Sequence, residues 1–251
     1  MTATIPHLVI AAFIAFCRVG GCFLVMPGLS SVRVPMQVRL FVAVAATMAL
    51  LTHMWDSILP FVQQRPDALL LLVLSETLIG ALIGLMARFY VLALQFIGTA
   101  IATMVGYGSG MGAGIEEGEP QAALASILSF SALLLLFVLN FHHEVIKAIV
   151  LSYRLAPLNL FFNPQSALVD LTDTISEAFF VMLRLGSPFL AYSLLVNLAI
   201  GFINKLTPQI PVYFISLPFV IAGGLILLYF GSSVFLSNFA DGFVSVTVGR
   251  Q

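Results

Sequence analysis

Apolar positions in this chain run in long stretches separated by short joints carrying proline, glycine or charge. Stretches long enough to cross a bilayer as helices, about 20 residues, fall at 8–26, 38–59, 121–141, 178–203 and 212–236. One more, 68–105, is nearly twice that length. As a single helix it would reach roughly 57 Å, beyond the ~30 Å hydrocarbon core. It must be two spans, a bent helix, or a helix that leaves the lipid. The apolar pattern after 121–141 also continues, through FHHEVIKAIVLSYRL to Leu155.

The joints are clear. Pro27-Gly28 ends the first stretch, Pro60 the second, and Pro66-Asp67 opens the third. Asn163-Pro164 breaks the chain before 165–177, which carries Asp170, Asp173 and Glu177 and reads as a short surface helix. Thr207-Pro208 and Pro211 mark the turn before the last stretch. No fixed-period repeat appears and every gap is too short for a soluble domain, so one membrane domain over 1–251 is expected. The opening MTATIPH has no Lys or Arg for a signal n-region, so the apolar start at Leu8 is expected to belong to the mature protein.

Composition fixes the class. Hydrophobic residues make up 61% and charged residues 8%, against roughly 45–50% and about 25% in soluble domains. This excludes a free cytosolic enzyme and points to an all-α integral membrane protein with about six helical segments. The net charge of -1 offers no groove for a polyanion, so no nucleic-acid partner is expected. Cys17 and Cys22 read as small buried hydrophobes, not as a disulfide.

The few charges raise a problem. With six spans, one side holds Arg33, Arg39 and Lys205, and the other Arg65, Lys147, Arg154 and Arg250, so the positive-inside rule gives no orientation. Arg18, Glu76, Arg88 and Arg184 lie inside apolar stretches, where an unpaired charge is costly. Glu76 and Arg88 stand about 18 Å apart along a helix and cannot pair. One acid cannot serve three bases, so some partners are expected from other chains, water or lipid headgroups. Snorkelling accounts for Arg184 better than for Arg18 or Glu76.

Six glycines, Gly106, Gly108, Gly110, Gly112, Gly114 and Gly118, fall within thirteen positions of VGYGSGMGAGIEEGEPQ. Such a run is neither a stable helix nor a strand with side chains to pack. No Lys-Ser/Thr follows, and Glu116, Glu117 and Glu119 would repel a phosphate. The choice lies between a plain connector and a mobile flap in a pore, with Met111 and Ile115 as apolar stoppers; the flap is the preferred reading. Glu76, Gly80, Gly84 and Arg88 form a four-residue stripe containing GALIG, a small-xxx-small pattern that admits a neighbouring helix. Asn197, Gly201 and Lys205 repeat that spacing. His142, His143 and Glu144 lack the second His of H-E-x-x-H and read as a polar cluster capping the fourth stretch. No catalytic dyad, metal set or cofactor fingerprint is found; neither enzyme chemistry nor a cofactor is expected.

Two stretches carry a family likeness. CRVGGCFLVMPGLSSVRVPMQVRLFVAVAATMAL holds Arg18, Pro27, Pro35 and Arg39, and VNLAIGFINKLTPQIPVYFISLPF holds Asn197, Gly201, Pro208, Gln209 and Pro218. With the glycine stripe and loop, they resemble the FliR family of flagellar and type III secretion export-gate proteins, end to end. The resemblance implies helical hairpins assembled with FliP and FliQ into a closed-ended channel, with FlhB around its entrance and FlhA nearby. That gate passes unfolded flagellar proteins out through the bacterial inner membrane at the flagellar basal body. The resemblance maps the channel plug onto 106–119; helix packing and assembly contacts are expected at Arg18, at Glu76, Gly80, Gly84 and Arg88, and at Asn197, Gly201, Lys205, Pro208 and Gln209. Membrane lipid completes the expected surroundings. A secondary solute transporter, binding at the proline-rich 204–218 region, is the alternative; related halves, its usual mark, are not found.

Overall fold

The computed structural model describes residues 5–31, 34–64, 69–107, 111–113, 120–158 and 161–248. Their secondary structure is almost wholly helical: α1 (Ile5–Val25), α2 (Met36–Gln64), α3 (Leu69–Met104), α4 (Ala123–Val138), α5 (Phe141–Leu155), α6 (Pro164–Leu206) and α7 (Val212–Val248). Two three-residue strands, β1 (Met111–Ala113) and β2 (Pro120–Ala122), pair antiparallel before α4. Five helices are long and apolar enough to cross a membrane, and the α4–α5 pair, bent by 65°, makes a sixth candidate. The protein is an all-α membrane protein.

Several boundaries differ from those the sequence suggests. The stretch 68–105 is not two spans: α3 is one helix of 36 residues, about 54 Å long. The acidic segment 165–177 is not a separate surface helix, because α6 runs through it for 43 residues. Charge decides which face of a helix meets solvent, and does not by itself break the backbone. Pro60 does not end α2, which continues to Gln64; a proline removes one intrahelical bond and kinks a helix without always stopping it. Asn163 does mark a start. Its Oδ1 accepts from the Gln165 N–H at 3.0 Å, with Pro164 at the first helical position.

The break between α4 and α5 falls at Asn140, whose φ of 58° is the chain's one positive value outside glycine among the described residues. The left-handed residue turns the chain sharply. His142, His143 and Glu144 therefore open α5 rather than cap α4. Phe141, Val145, Ile149, Ser152 and Tyr153 recur at helical spacing and make up its buried face. On the opposite face Glu144 pairs with Lys147 at 2.6 Å.

The chain divides into two compact units. The first comprises Met1–Tyr90, Asn140–Ser176 and Phe243–Gln251. Its core brings together α1, the first part of α3 and α5, with Ile14, Ala15, Cys22, Ala87 and Ile149 fully buried. Both Cys17 and Cys22 are free and buried there. The second unit comprises Val91–Leu139 and Glu177–Gly242. In it α3 meets α4 where Gly98 faces Ala125, and α6 where Gly186 lies under Ile97. The Tyr192 hydroxyl donates to the Val220 carbonyl at 2.8 Å, tying α6 to α7.

Candidate functional site

Two features answer to the chemistry singled out in the sequence, one in each unit. In the first, Arg18 on α1 and Glu76 on α3 are both buried, 0% and 1% exposed. The pair is bidentate: Nε donates to Oε2 and Nη2 to Oε1, each at 2.7 Å. Two further donors are satisfied by α5 and the residue after it, Nη1 by Ser152 Oγ and Nη2 by the Ala156 carbonyl, each at 2.9 Å. The Tyr153 ring covers the guanidinium, with Cζ 3.8 Å from its centroid. Low dielectric strengthens such bonds and punishes any left unmade. Arg18 and Glu76 thus find each other inside this chain, so the one acid among the four charges in apolar stretches serves Arg18. Arg88 lies three turns further along α3, half-buried and apart from this cluster.

The charge pair sits where two backbones touch. A Cβ on Gly80 would collide with the Arg18 carbonyl, and one on Gly84 with that of Cys22. A Cβ on Gly21 would stand 2.5 Å from the Thr77 oxygen. Glycine on both helices allows this approach, which brings the Arg18 side chain within reach of Glu76 one turn before Gly80. Gly201 differs, although its sequence spacing looks alike: no atom lies within 4 Å of a Cβ built there. Asn197 turns its amide back on α6, donating to the Ser193 carbonyl and Oγ at 2.8 and 3.1 Å. Lys205, Pro208 and Gln209 are exposed at the α6–α7 turn.

In the second unit α3 ends in a left-handed glycine cap. Gly106 has φ 82°, its N–H meets the Thr103 carbonyl at 3.1 Å, and the Tyr107 N–H reaches Ala102 at 2.8 Å. This is the Schellman pattern, which satisfies carbonyls a helix end leaves open. Met111 and Gly112 belong to β1, opposite Ala122 and Gln121. The strand corrects the reading that glycines leave nothing to form one: backbone hydrogen bonds suffice for three residues. Gly108, Gly110, Gly114, Ile115, Glu116 and Glu117 lie outside the described residues.

Sequence reasoning missed Ser152, Tyr153 and the Ala156 carbonyl, and with them the role of α5. The signal was faint: a Ser-Tyr pair in an apolar segment read as the tail of the preceding one.

The model of the bacterial export proteins, family 1, matches residues 9–246. Among similar proteins is the flagellar biosynthetic protein FliR of Caulobacter vibrioides, 28% identical over 90% of this chain and 89% of its own. That of Escherichia coli is 27% identical over 80% and 76%, and that of Aquifex aeolicus 24% over 90% and 86%. With the match running through α1 to α7, the chain belongs to bacterial export protein family 1, the FliR family.

Proposed function

We propose that this chain is a channel-building and channel-plugging subunit of the flagellar protein export gate, seated in the bacterial inner membrane at the flagellar basal body. The family match over 9–246, with relatives named for flagellar biosynthesis, carries this reading. It also favours export over solute transport. Uneven burial agrees with a subunit built for assembly: 56% of the α1 span is buried, against 17% in α2 and 6% in α7. Phe214, Phe219, Tyr229 and Phe230 are each more than 70% exposed, and apolar surface on that scale is what partner subunits or lipid would cover.

FliP-like and FliQ-like subunits are the partners of this reading, with FlhB at the channel entrance and FlhA nearby. Unfolded flagellar proteins are transient cargo, and the role is mechanical rather than enzymatic. The Arg18–Glu76 cluster and the glycine crossing make the first unit a rigid support. The glycine-rich segment, anchored by the Gly106 cap on one side and the β1–β2 pairing on the other, serves as the plug. Its rim of acidic residues stays hydrated while Met111 and Ile115 fill the constriction. Affinity purification of the tagged chain in mild detergent tests the assignment. Co-purifying FliP-like and FliQ-like subunits are the expected result, and an isolated, well-behaved monomer with transport activity of its own would contradict it.

A further inference from the structure

In the second unit α7 is exposed along most of its length, and among the described residues 212–234 Gly224 alone is buried. Its neighbour is Gly223, and two adjacent glycines weaken a helix interior unless something needs the space. Two side chains use it. Val105 fills the face of Gly224: a Cβ there would collide with Val105 Cγ1 and stand 2.7 and 2.9 Å from its Cγ2 and Cβ. Tyr192 of α6 lies over Gly223, where a Cβ would collide with the phenol oxygen. That hydroxyl donates to the Val220 carbonyl, three residues earlier on α7, at 2.8 Å.

What Val105 brings to this notch is the end of α3, not its body. It stands one residue past the helix, its N–H still donating to the Ile101 carbonyl at 2.9 Å, and it is 1% exposed. Next comes Gly106, whose positive φ turns the chain away. A Cβ on Gly106 would stand 3.3 Å from Leu217 Cδ1 and 3.6 Å from Ile221 Cγ1. Leu217, Ile221 and Gly224 recur at i, i+4 and i+7, so one face of α7 carries both residues of the turn. Tyr107 is already 40% exposed; the packing gives out where the glycine-rich segment begins.

We propose that Gly223 and Gly224 are positioning residues: they form a seat on α7 that fixes Val105 and Gly106, so that α7, braced on α6 by Tyr192, sets where the stem of the glycine-rich segment stands. The bearing of this seat on channel closure rests on the plug reading above. A valine suits the task. Its χ1 is restricted, and Cβ, Cγ1 and Cγ2 all crowd the place of a Gly224 Cβ, so no rotation makes room for one.

The test places a nitroxide on Tyr107→Cys in the full chain, purified with its co-assembling subunits in mild detergent, and reads label mobility by electron paramagnetic resonance. Cys17 and Cys22 are buried, and the unsubstituted assembly carried through the same labelling supplies the blank. Gly224→Ala is expected to shift the spectrum toward a mobile label, and Val105→Ala, which empties the seat, to do the same. The double variant Gly224→Ala/Val105→Ala returns it part of the way, because the two atoms closest to the new methyl are gone. Gly231→Ala is the control on the same helix: nothing lies within 4 Å of its Cβ, and the label stays as in the Tyr107→Cys reference. A label unmoved by Gly224→Ala and by Val105→Ala overturns the proposal, as does a Gly231→Ala shift as large as that of Gly224→Ala. Where Gly224→Ala fails to assemble, Val105→Ala, which only removes atoms, decides alone. Conductance separates the seat from the plug reading. A freed label with wild-type conductance, in an assembly that leaks when 108–114 is shortened, overturns the link between seat and closure. A shortened segment that does not leak contradicts the plug reading instead, and the label still decides the seat.

Discussion

Arg18 and Glu76 grip each other through two parallel 2.7 Å hydrogen bonds across 58 residues of sequence, at the point where the α1 and α3 backbones meet. The fork of an arginine fits a carboxylate in this way, and a lysine does not. Because Ser152, Ala156 and Tyr153 complete the shell, the pair ties α5 to both helices as well.

Breaking this pair from one side leaves a buried charge without its partner, which costs about 3–5 kcal/mol. Arg18→Ala and Glu76→Ala are therefore expected to lower the melting temperature and protease resistance of the purified assembly sharply. Arg18→Lys falls between them and wild type. The double variant Arg18→Met/Glu76→Leu recovers most of the loss, since apolar residues of similar volume often replace a buried pair without penalty. A double variant as damaged as the singles would mean that the charges themselves, not their mutual satisfaction, are required.

The two four-residue stripes respond differently. Gly80→Leu or Gly84→Leu forces side-chain atoms into the α1 backbone, an overpacking that costs about 1–3 kcal/mol or more. Both variants are expected to lose folded protein first and assembly with it. Gly201→Ala is neutral or slightly favourable for the chain itself, because alanine is the better helix former by about 1 kcal/mol and nothing meets its Cβ. If Gly201→Leu nevertheless reduces co-purification of partner subunits while the chain's own level holds, a partner helix meets α6 there. Paired measurements of protein level and co-purification make the distinction.

Those stripes show how far a sequence carries. Both stripes place glycine on a four-residue spacing, with Gly80 and Gly84 in one and Gly201 alone in the other, but only at Gly80 and Gly84 does this chain supply the neighbouring helix. The all-α apolar class and the approximate number of membrane-length segments were legible because bilayer length and hydropathy dictate them. Helix limits were less so: Pro60 and the acids of 165–177 look like stops, yet α2 and α6 run through them. Arg18 and Glu76 were visible as misplaced charges. Their pairing was not, since it depends on a contact between distant helices, and Ser152 and Tyr153 acquire meaning only beside it.

Expression without partners offers a separate check. With α7 only 6% buried along its span and α2 17%, the isolated chain is expected to aggregate or be degraded, and co-expression of FliP-like and FliQ-like subunits to restore it. A monodisperse chain with a sharp melting transition on its own would show that its apolar faces need only lipid.

The central claim is that this chain both builds and closes an export channel, and ion conductance of the assembled complex tests it most directly. Shortening the segment 108–114 removes glycine-rich chain between the Gly106 cap and α4 without touching the Gly80–Arg18 crossing. Assembly is expected to persist while planar-bilayer conductance and dye uptake by cells rise well above wild type. The companion variant, Gly110→Val with Gly112→Val, restricts the backbone freedom of glycine, and should keep the seal while slowing export. A shortened segment that assembles and stays as tight as wild type would make 106–119 a connector and contradict the account.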